Sequence, residues 1–344
     1  MTNEQIRETL KTQEYDFLRT NRHLGKRIMY MTLGGSHSYG TNVEDSDLDL
    51  RGITAEKPEE LIGLENFDVF DLHSDTTDAV FYGFNKIFGL LAKCNPNVIE
   101  MLGTDEADIF YMSPAGKLIR DNAGLFLSKE AENSFVGYAN GQMTRMKNFL
   151  MRENDKDDEV MKYMVENLDH RLRVFSDRFE PLTSEQVKLY IGKSPKKNTD
   201  KEILVDVSLT GYPLVDFQGM QDELRTILQT YKTINARNKK KDNLHLNKHA
   251  MHLLRLYIVA TDIFEKEQII TKRTAERDFL LSVRNGRFQN PDGSYMPEFF
   301  ECVDEYKKRL EYAIANTSLP ERPDFKKLQD LKMTVNKMIL SDNF

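Results

Sequence analysis

The sequence predicts an α/β protein of the α+β kind: a small mixed β-sheet domain with flanking helices, followed by a mostly α-helical domain. Three observations predict it. Apolar, β-tolerant runs near 27–33, 47–54 and 66–72 alternate with loops. Apolar residues at 80, 81, 84, 87, 88, 90 and 91 follow a helical distribution over 79–94. From Ser128 onward the chain reads as mostly helical, with long segments at 134–152 and 158–179.

The elements follow in order. Residues 3–24 are polar and helix-prone, with Ile6, Leu10, Tyr15 and Leu18 spaced for one face, so a helix packed on the sheet is expected. Ile28 to Leu33 is an apolar run ending at Gly34-Gly35, a buried strand entering a glycine turn. From Asp47 to Leu50 acids alternate with leucines, which on a strand puts Asp47 and Asp49 on one face and the leucines in the core. Asn95-Pro96 stops the helix over 79–94. Residues 98–102 then read as a short strand or turn bearing Glu100. Pro114 opens the next helix at its first turn. A boundary near 110–127 divides the chain into domains 1–120 and 121–344. The polar stretches 192–201 and 235–243 read as exposed loops.

Composition narrows the function classes. The 344 residues carry a net charge of −7, so no global basic field recruits nucleic acid. Contact with a polynucleotide would rest on local patches, and the lysines of 192–201 and 235–243 serve equally well as solvated loops. Two cysteines, Cys94 and Cys302, form no disulfide framework and no CxxC metal site, which fits a reducing compartment. No basic-then-apolar leader opens the chain, and no apolar run approaches a membrane span. A soluble cytoplasmic protein without membrane partners is the expectation.

The chemistry concentrates in residues 33–50. Glycine lets backbone N–H groups approach an anion closely, and Ser36 and Ser38 add hydroxyl donors, so Gly35-Ser36 forms a turn able to hold phosphate oxygens. The lysine-bearing phosphate loop of the NTPases is absent. About ten residues on, Asp47 and Asp49 form a carboxylate pair that repels itself unless a cation lies between. Convergent acids beside a phosphate-holding turn suit magnesium-dependent phosphoryl transfer.

This pattern resembles the signature of the DNA polymerase beta nucleotidyltransferase superfamily. In its longer form it resembles the YcgL/RlaP-type, RNA-ligase-associated group: Gly35-Ser36-His37-Ser38-Tyr39-Gly40-Thr41, then Glu44-Asp45-Ser46-Asp47-Leu48-Asp49, then Arg51-Gly52. The likeness continues through 86–91 and 95–102, and resumes at 248–256 and 283–286. The resemblance implies that Gly35 and Ser36 hold the β- and γ-phosphates of a nucleoside triphosphate such as ATP. Asp47 and Asp49 would hold Mg2+ (Mn2+ as an alternative), and a third acid on a neighbouring strand would complete the metal site.

Asp68, Asp71, Asp75 and Asp78 are the candidates for the third acid. The family's spacing to a tyrosine and a following Lys-hydrophobic-Phe selects Asp78, four before Tyr82, with Asp71 and then Asp75 as runners-up. Val80 stands where many relatives carry another acid. On the helix expected around 247–256, His249, His252 and Arg255 can share a face, and Lys248, His252 and Arg255 can supply positive charge to a triphosphate. Arg284, in a Val-Arg-Asn-Gly turn that the family retains, is a further phosphate ligand. Arg51 can ion-pair with Asp45 or Asp49. The reaction implied is transfer of a nucleoside monophosphate from an NTP to a hydroxyl, with release of pyrophosphate. An RNA or tRNA end, a protein side chain or a small molecule would be the acceptor, and an RNA ligase is an implied partner. A non-catalytic nucleotide- or RNA-binding module is the alternative.

Overall fold

The computed structural model describes residues 1–44, 46–74, 77–153, 186–193, 201–222, 225, 243–291 and 293–344. Asp45, Asp75, the expected helix at 158–179, and all but the ends of the loops at 192–201 and 235–243 lie outside the described residues. The chain forms two compact units, Met1–Met143 with Asn247–Phe344, and Thr144–Leu246. The boundary read from the sequence, near 110–127, falls inside the first unit.

The first unit begins with α1 (Asn3–Thr9), closed by a capping box between Thr2 and Gln5. A short 3-10 turn and α2 (Phe17–Thr20) follow, so the single helix expected over 3–24 is broken into pieces. Strand β1 (Ile28–Leu33) leads into α3 (Gly35–Tyr39), and β2 (Leu48–Thr54) into α4 (Pro58–Leu61). Strands β3 (Val69–His73) and β4 (Thr77–Gly83) precede α5 (Phe84–Leu91) and α6 (Pro96–Leu102). Strand β5 (Ile109–Met112) and α7 (Pro114–Asp121) complete the sheet region, and α8 (Glu130–Glu153) leaves it.

The second unit holds the antiparallel hairpin β6 (Val187–Lys193) and β7 (Lys201–Val207). Helices α9 (Asn243–Lys266), α10 (Arg277–Arg284), α11 (Pro297–Asn316) and α12 (Phe325–Leu340) make the C-terminal region helical. The architecture is thus a mixed five-stranded sheet with flanking helices, followed by helices.

The sheet order is β3-β4-β2-β1-β5. Strands β2 and β4 are parallel, and the other neighbours are antiparallel. One face is apolar: Leu48, Leu50, Ala79 and Phe81 pack on Ile6, Leu10, Tyr15 and Leu18 of the N-terminal helices. Each of the buried leucine, isoleucine and phenylalanine side chains contributes roughly 1.5–3 kcal/mol.

Two expectations need correction here. The helix expected over 79–94 begins only at Phe84, and 77–83 is a strand. Burial alternates along β4, with Ala79 and Phe81 buried and Asp78, Val80 and Tyr82 half-buried, which is a period of two. Val80, Phe81 and Tyr82 are also strand-favouring types, and Gly83 marks the change of structure. Residues 98–102 are helical, not a strand or turn. The Asn95 side chain accepts the Asn97 N–H at 3.1 Å and Pro96 occupies the first turn, so the same dipeptide that ends one helix caps the next.

Candidate active site

The parallel pairing of β2 and β4 sets Asp49 opposite Asp78 at the same end of the sheet. Both strands present their polar face there, with Asp49 and Arg51 on β2 and Asp78 and Tyr82 on β4. Asp47 is exposed and immediately precedes β2, and its charge acts on Asp49. Among the acids weighed for the third position, Asp78 lies against Asp49. Asp71 is two strands from Asp49, on β3 opposite Val80.

Arg51 binds the two inner acids together. Its Nη1 and Nη2 donate to Asp78 Oδ1 and Oδ2 at 3.3 and 3.1 Å, and Nη2 lies 3.5 Å from Asp49 Oδ1. The sequence reading offered Asp45 or Asp49 as its partner, and the closer contact is to Asp78. Arg51 also donates to the carbonyls of Leu50 and Asp78, at 2.9 and 3.2 Å.

Burial pushes the Asp49 carboxyl up to about 6; Arg51 opposes the shift, while a hydrogen bond and charge from Asp78, and the charge of Asp47, add to it. Three acids against one guanidinium leave excess negative charge, and a divalent cation with oxygen ligands would relieve it. Asp49 and Asp78 supply carboxylate oxygens of the kind a hard cation takes, while Asp47 contributes charge from the residue before β2.

His73 adds a feature the sequence reading missed. It faces Asp78 across the β3–β4 register, with Nδ1 3.1 Å from Asp78 Oδ1 and Nε2 3.0 Å from Asp71 Oδ1. Asp71, His73 and Asp78 offer ligand atoms within 4.8 Å of one another. The i, i+2 spacing of Asp71 and His73 on an alternating strand was the available signal.

The glycine turn closes the site from β1. Gly34 N–H donates to the Asp49 carbonyl at 2.9 Å. Gly35 has φ +53°, and a Cβ built on it would lie 1.6 Å from Asp49 Oδ2. This glycine therefore permits a carboxylate to lie against the backbone, a steric need that phosphate holding alone does not explain. Ser36 is the second residue of α3 and half-buried.

The C-terminal helices fasten this turn. Arg284 Nη1 donates to the Thr41 carbonyl at 3.2 Å, and Arg277 Nε to the Gly40 carbonyl at 2.8 Å. Lys248 and His252 are half-buried on α9. Burial first, and then the positive charges of Arg255, His249, Arg284 and Lys248, push the His252 imidazole down to about 3. At neutral pH it is uncharged, so the positive charge expected of His252 is corrected: it offers hydrogen bonds within a cationic neighbourhood.

Arg255 is corrected as well. It is buried, donates from Nη1 to Glu100 Oε1 at 2.5 Å, and stacks 3.7 Å over the Tyr39 ring. Its charge is spent on Glu100, not offered to a ligand.

Asp49 and Asp78, in register on parallel strands, thus lie beside the glycine turn that the C-terminal helices fasten. Residues 5–175 match the family model described as RlaP: RNA repair pathway DNA polymerase beta family. This part of the chain belongs to that family, an RlaP-type group of the DNA polymerase beta nucleotidyltransferase superfamily. No curated protein matches the chain, and no solved structure matches it. Among the described residues, no helix is long and apolar enough to cross a membrane.

Proposed function

We propose that the chain is a magnesium-dependent nucleotidyltransferase of RNA repair, moving a nucleoside monophosphate from an NTP to a hydroxyl on an RNA end. The observation that carries this reading is the register of Asp49 against Asp78 on parallel strands, with Asp47 adjacent and Gly35 pressed on Asp49. Asp47, Asp49 and Asp78 would hold Mg2+, or Mn2+ in its place. The bound metal supplies charge neutralisation and a lowered hydroxyl pKa.

The protein's own groups do the rest. Backbone and hydroxyl donors of Gly35 and Ser36 hold the β- and γ-phosphates. Lys248 and Arg284 add charge beside the turn, and His252 adds a hydrogen bond. These donors hold the triphosphate so that the acceptor oxygen approaches the α-phosphorus in line. The new O–P bond forms as the bond to pyrophosphate breaks. In this reading Asp78 would accept the hydroxyl proton. Arg51, already on Asp49 and Asp78, keeps the acids convergent. An RNA ligase sealing the repaired end is the partner this role suits.

Incubation with each α-labelled NTP, Mg2+ or Mn2+, and separate RNA, tRNA and protein pools tests the reading. Label on RNA is expected, with none from an Asp47→Ala/Asp49→Ala variant. Label appearing on protein alone would replace the acceptor. Full labelling by the double variant would end the metal-site reading.

A further inference from the structure

Glu100 is buried on α6, and its partners come from three separate parts of the chain. Its Oε2 accepts the Tyr39 hydroxyl at 2.5 Å and its Oε1 accepts Arg255 Nη1 at 2.5 Å. The Arg255 guanidinium covers the Tyr39 ring, at 3.7 Å from its centre. Two further bonds clasp the same junction: the Thr271 hydroxyl donates to the Glu100 carbonyl, and the Arg273 N–H to the Tyr39 carbonyl. Turn, α6 and α9 thus meet at one carboxylate.

A buried ion pair is weak evidence for stability, because well-packed apolar groups often serve as well. What such a pair supplies is a fixed relative position, since each partner satisfies the other only in one geometry. Here the position being fixed is informative. Tyr39 ends α3, which has five residues and is therefore about 7.5 Å long at 1.5 Å per residue. The first residue of α3 is Gly35, whose backbone touches the Asp49 carboxylate. A helix this short moves as one piece, so a shift at Tyr39 reaches Gly35 and Ser36.

The geometry points to Glu100, with Arg255 and Tyr39, as a positioning device that sets the phosphate-holding turn against the acid pair and ties it to the C-terminal helices. Its functional consequence rests on the nucleotidyltransferase reading above. The device acts on the turn and, through Gly35, on Asp49, while Asp47 and Asp78 lie outside it. Its loss therefore weakens nucleotide binding more than metal binding.

The test uses the full chain and two variants, Tyr39→Phe and Glu100→Gln. Tyr39→Phe removes one hydroxyl and keeps the Glu100–Arg255 pair, so it reports even where Glu100→Gln fails to fold. Amide hydrogen exchange over Ser38–Thr41, whose N–H groups bond within the turn, is read against exchange in β2. Mn2+ binding alone, and binding of ATP, GTP, CTP and UTP with Mn2+, are then titrated. We expect turn exchange about tenfold faster with β2 unchanged, nucleotide affinity about tenfold weaker, the scale of one lost charge-assisted hydrogen bond, and a smaller fall in Mn2+ affinity. Unchanged turn exchange in the folded variants overturns the device. Faster turn exchange in a chain whose wild type binds no nucleotide upholds the device and overturns the nucleotidyltransferase reading instead.

Discussion

Gly35→Ala is the sharpest perturbation of the candidate site, because two effects at that position can be separated. The residue has φ +53°, where a Cβ costs about 1–2 kcal/mol. The same Cβ would also lie 1.6 Å from Asp49 Oδ2 and 2.5 Å from Asp49 Cγ, far inside contact distance. The carboxylate must then withdraw by well over an ångström, or the turn must. Gly40→Ala is the matched control: its φ is +71°, yet the nearest atom to a built Cβ is Lys272 Cγ at 3.8 Å. Both variants should incur the left-handed penalty, a fall in melting temperature of about 1–3 °C in a chain of this size. Only Gly35→Ala should displace an acid, and ångström-scale misplacement costs about a hundredfold in turnover. The assays are thermal melts, Mn2+ titration and label transfer from the preferred NTP. If both variants bind Mn2+ as the wild type does and transfer label equally, the Asp49 carboxylate is not a ligand held against Gly35.

Asp49→Asn tests the same carboxylate through pH. The folded carboxyl titrates near 6, above its ordinary range, so its stability contribution is full below that range and is lost as pH rises through about 6. The metal-free Asn variant should match the wild type at pH 4 and exceed it at pH 8, by at most about 3 kcal/mol, with no Mg2+-dependent shift in melting; the shift of about two units sets that ceiling. His252 has the opposite sign. Its folded pKa is depressed to about 3, so its contribution is present above about 6.5 and is lost as pH falls toward 3. Melting of the wild type should decline with acid more steeply than that of His252→Gln, and imidazole NMR should show the pKa rising when a triphosphate binds; a pKa that stays put places the phosphates elsewhere. Arg255→Met strands the buried Glu100 carboxylate and should cost about 3–5 kcal/mol in urea unfolding. A cost below about 1 kcal/mol would return Arg255 to the pool of free ligands.

What the sequence made legible follows the range of the interactions involved. The alternation Asp47-Leu48-Asp49-Leu50 is a local, period-two signal, and it matches the burial of β2 over Leu48 to Arg51, with Asp47 just ahead of the strand. The glycine turn is equally local. Strand β4 was harder to read, because Val80, Phe81, Phe84, Ile87 and Phe88 form one apolar series in which a short strand and a following helix merge. Only the pairing with β2 on one side and β3 on the other decides for strand. Glycine 35 shows a subtler limit: the sequence marks the residue, but its steric reason is a carboxylate fourteen positions later.

The cationic helix marks where local reasoning stops. Lys248, His252 and Arg255 look alike on a helical wheel, as three basic groups on one face. Glu100, from 155 residues away, takes the charge of Arg255. Burial, and then the charge of Arg255, hold His252 neutral. Neither effect has a signal within ten residues of the side chain it acts on, apart from the charges His252 shares with its own helix. Yet the two effects are linked. Arg255 is tied to Glu100 and so to Tyr39, and the turn that Tyr39 ends is held at its carbonyls by Arg277 and Arg284. Helix α9 therefore meets the turn through position at Arg255, and α10 meets it through Arg277 and Arg284. A basic face that reads as one ligand set in the sequence is divided by the fold: Arg255 becomes an anchor, while Lys248 and His252 stay half-buried on the same helix.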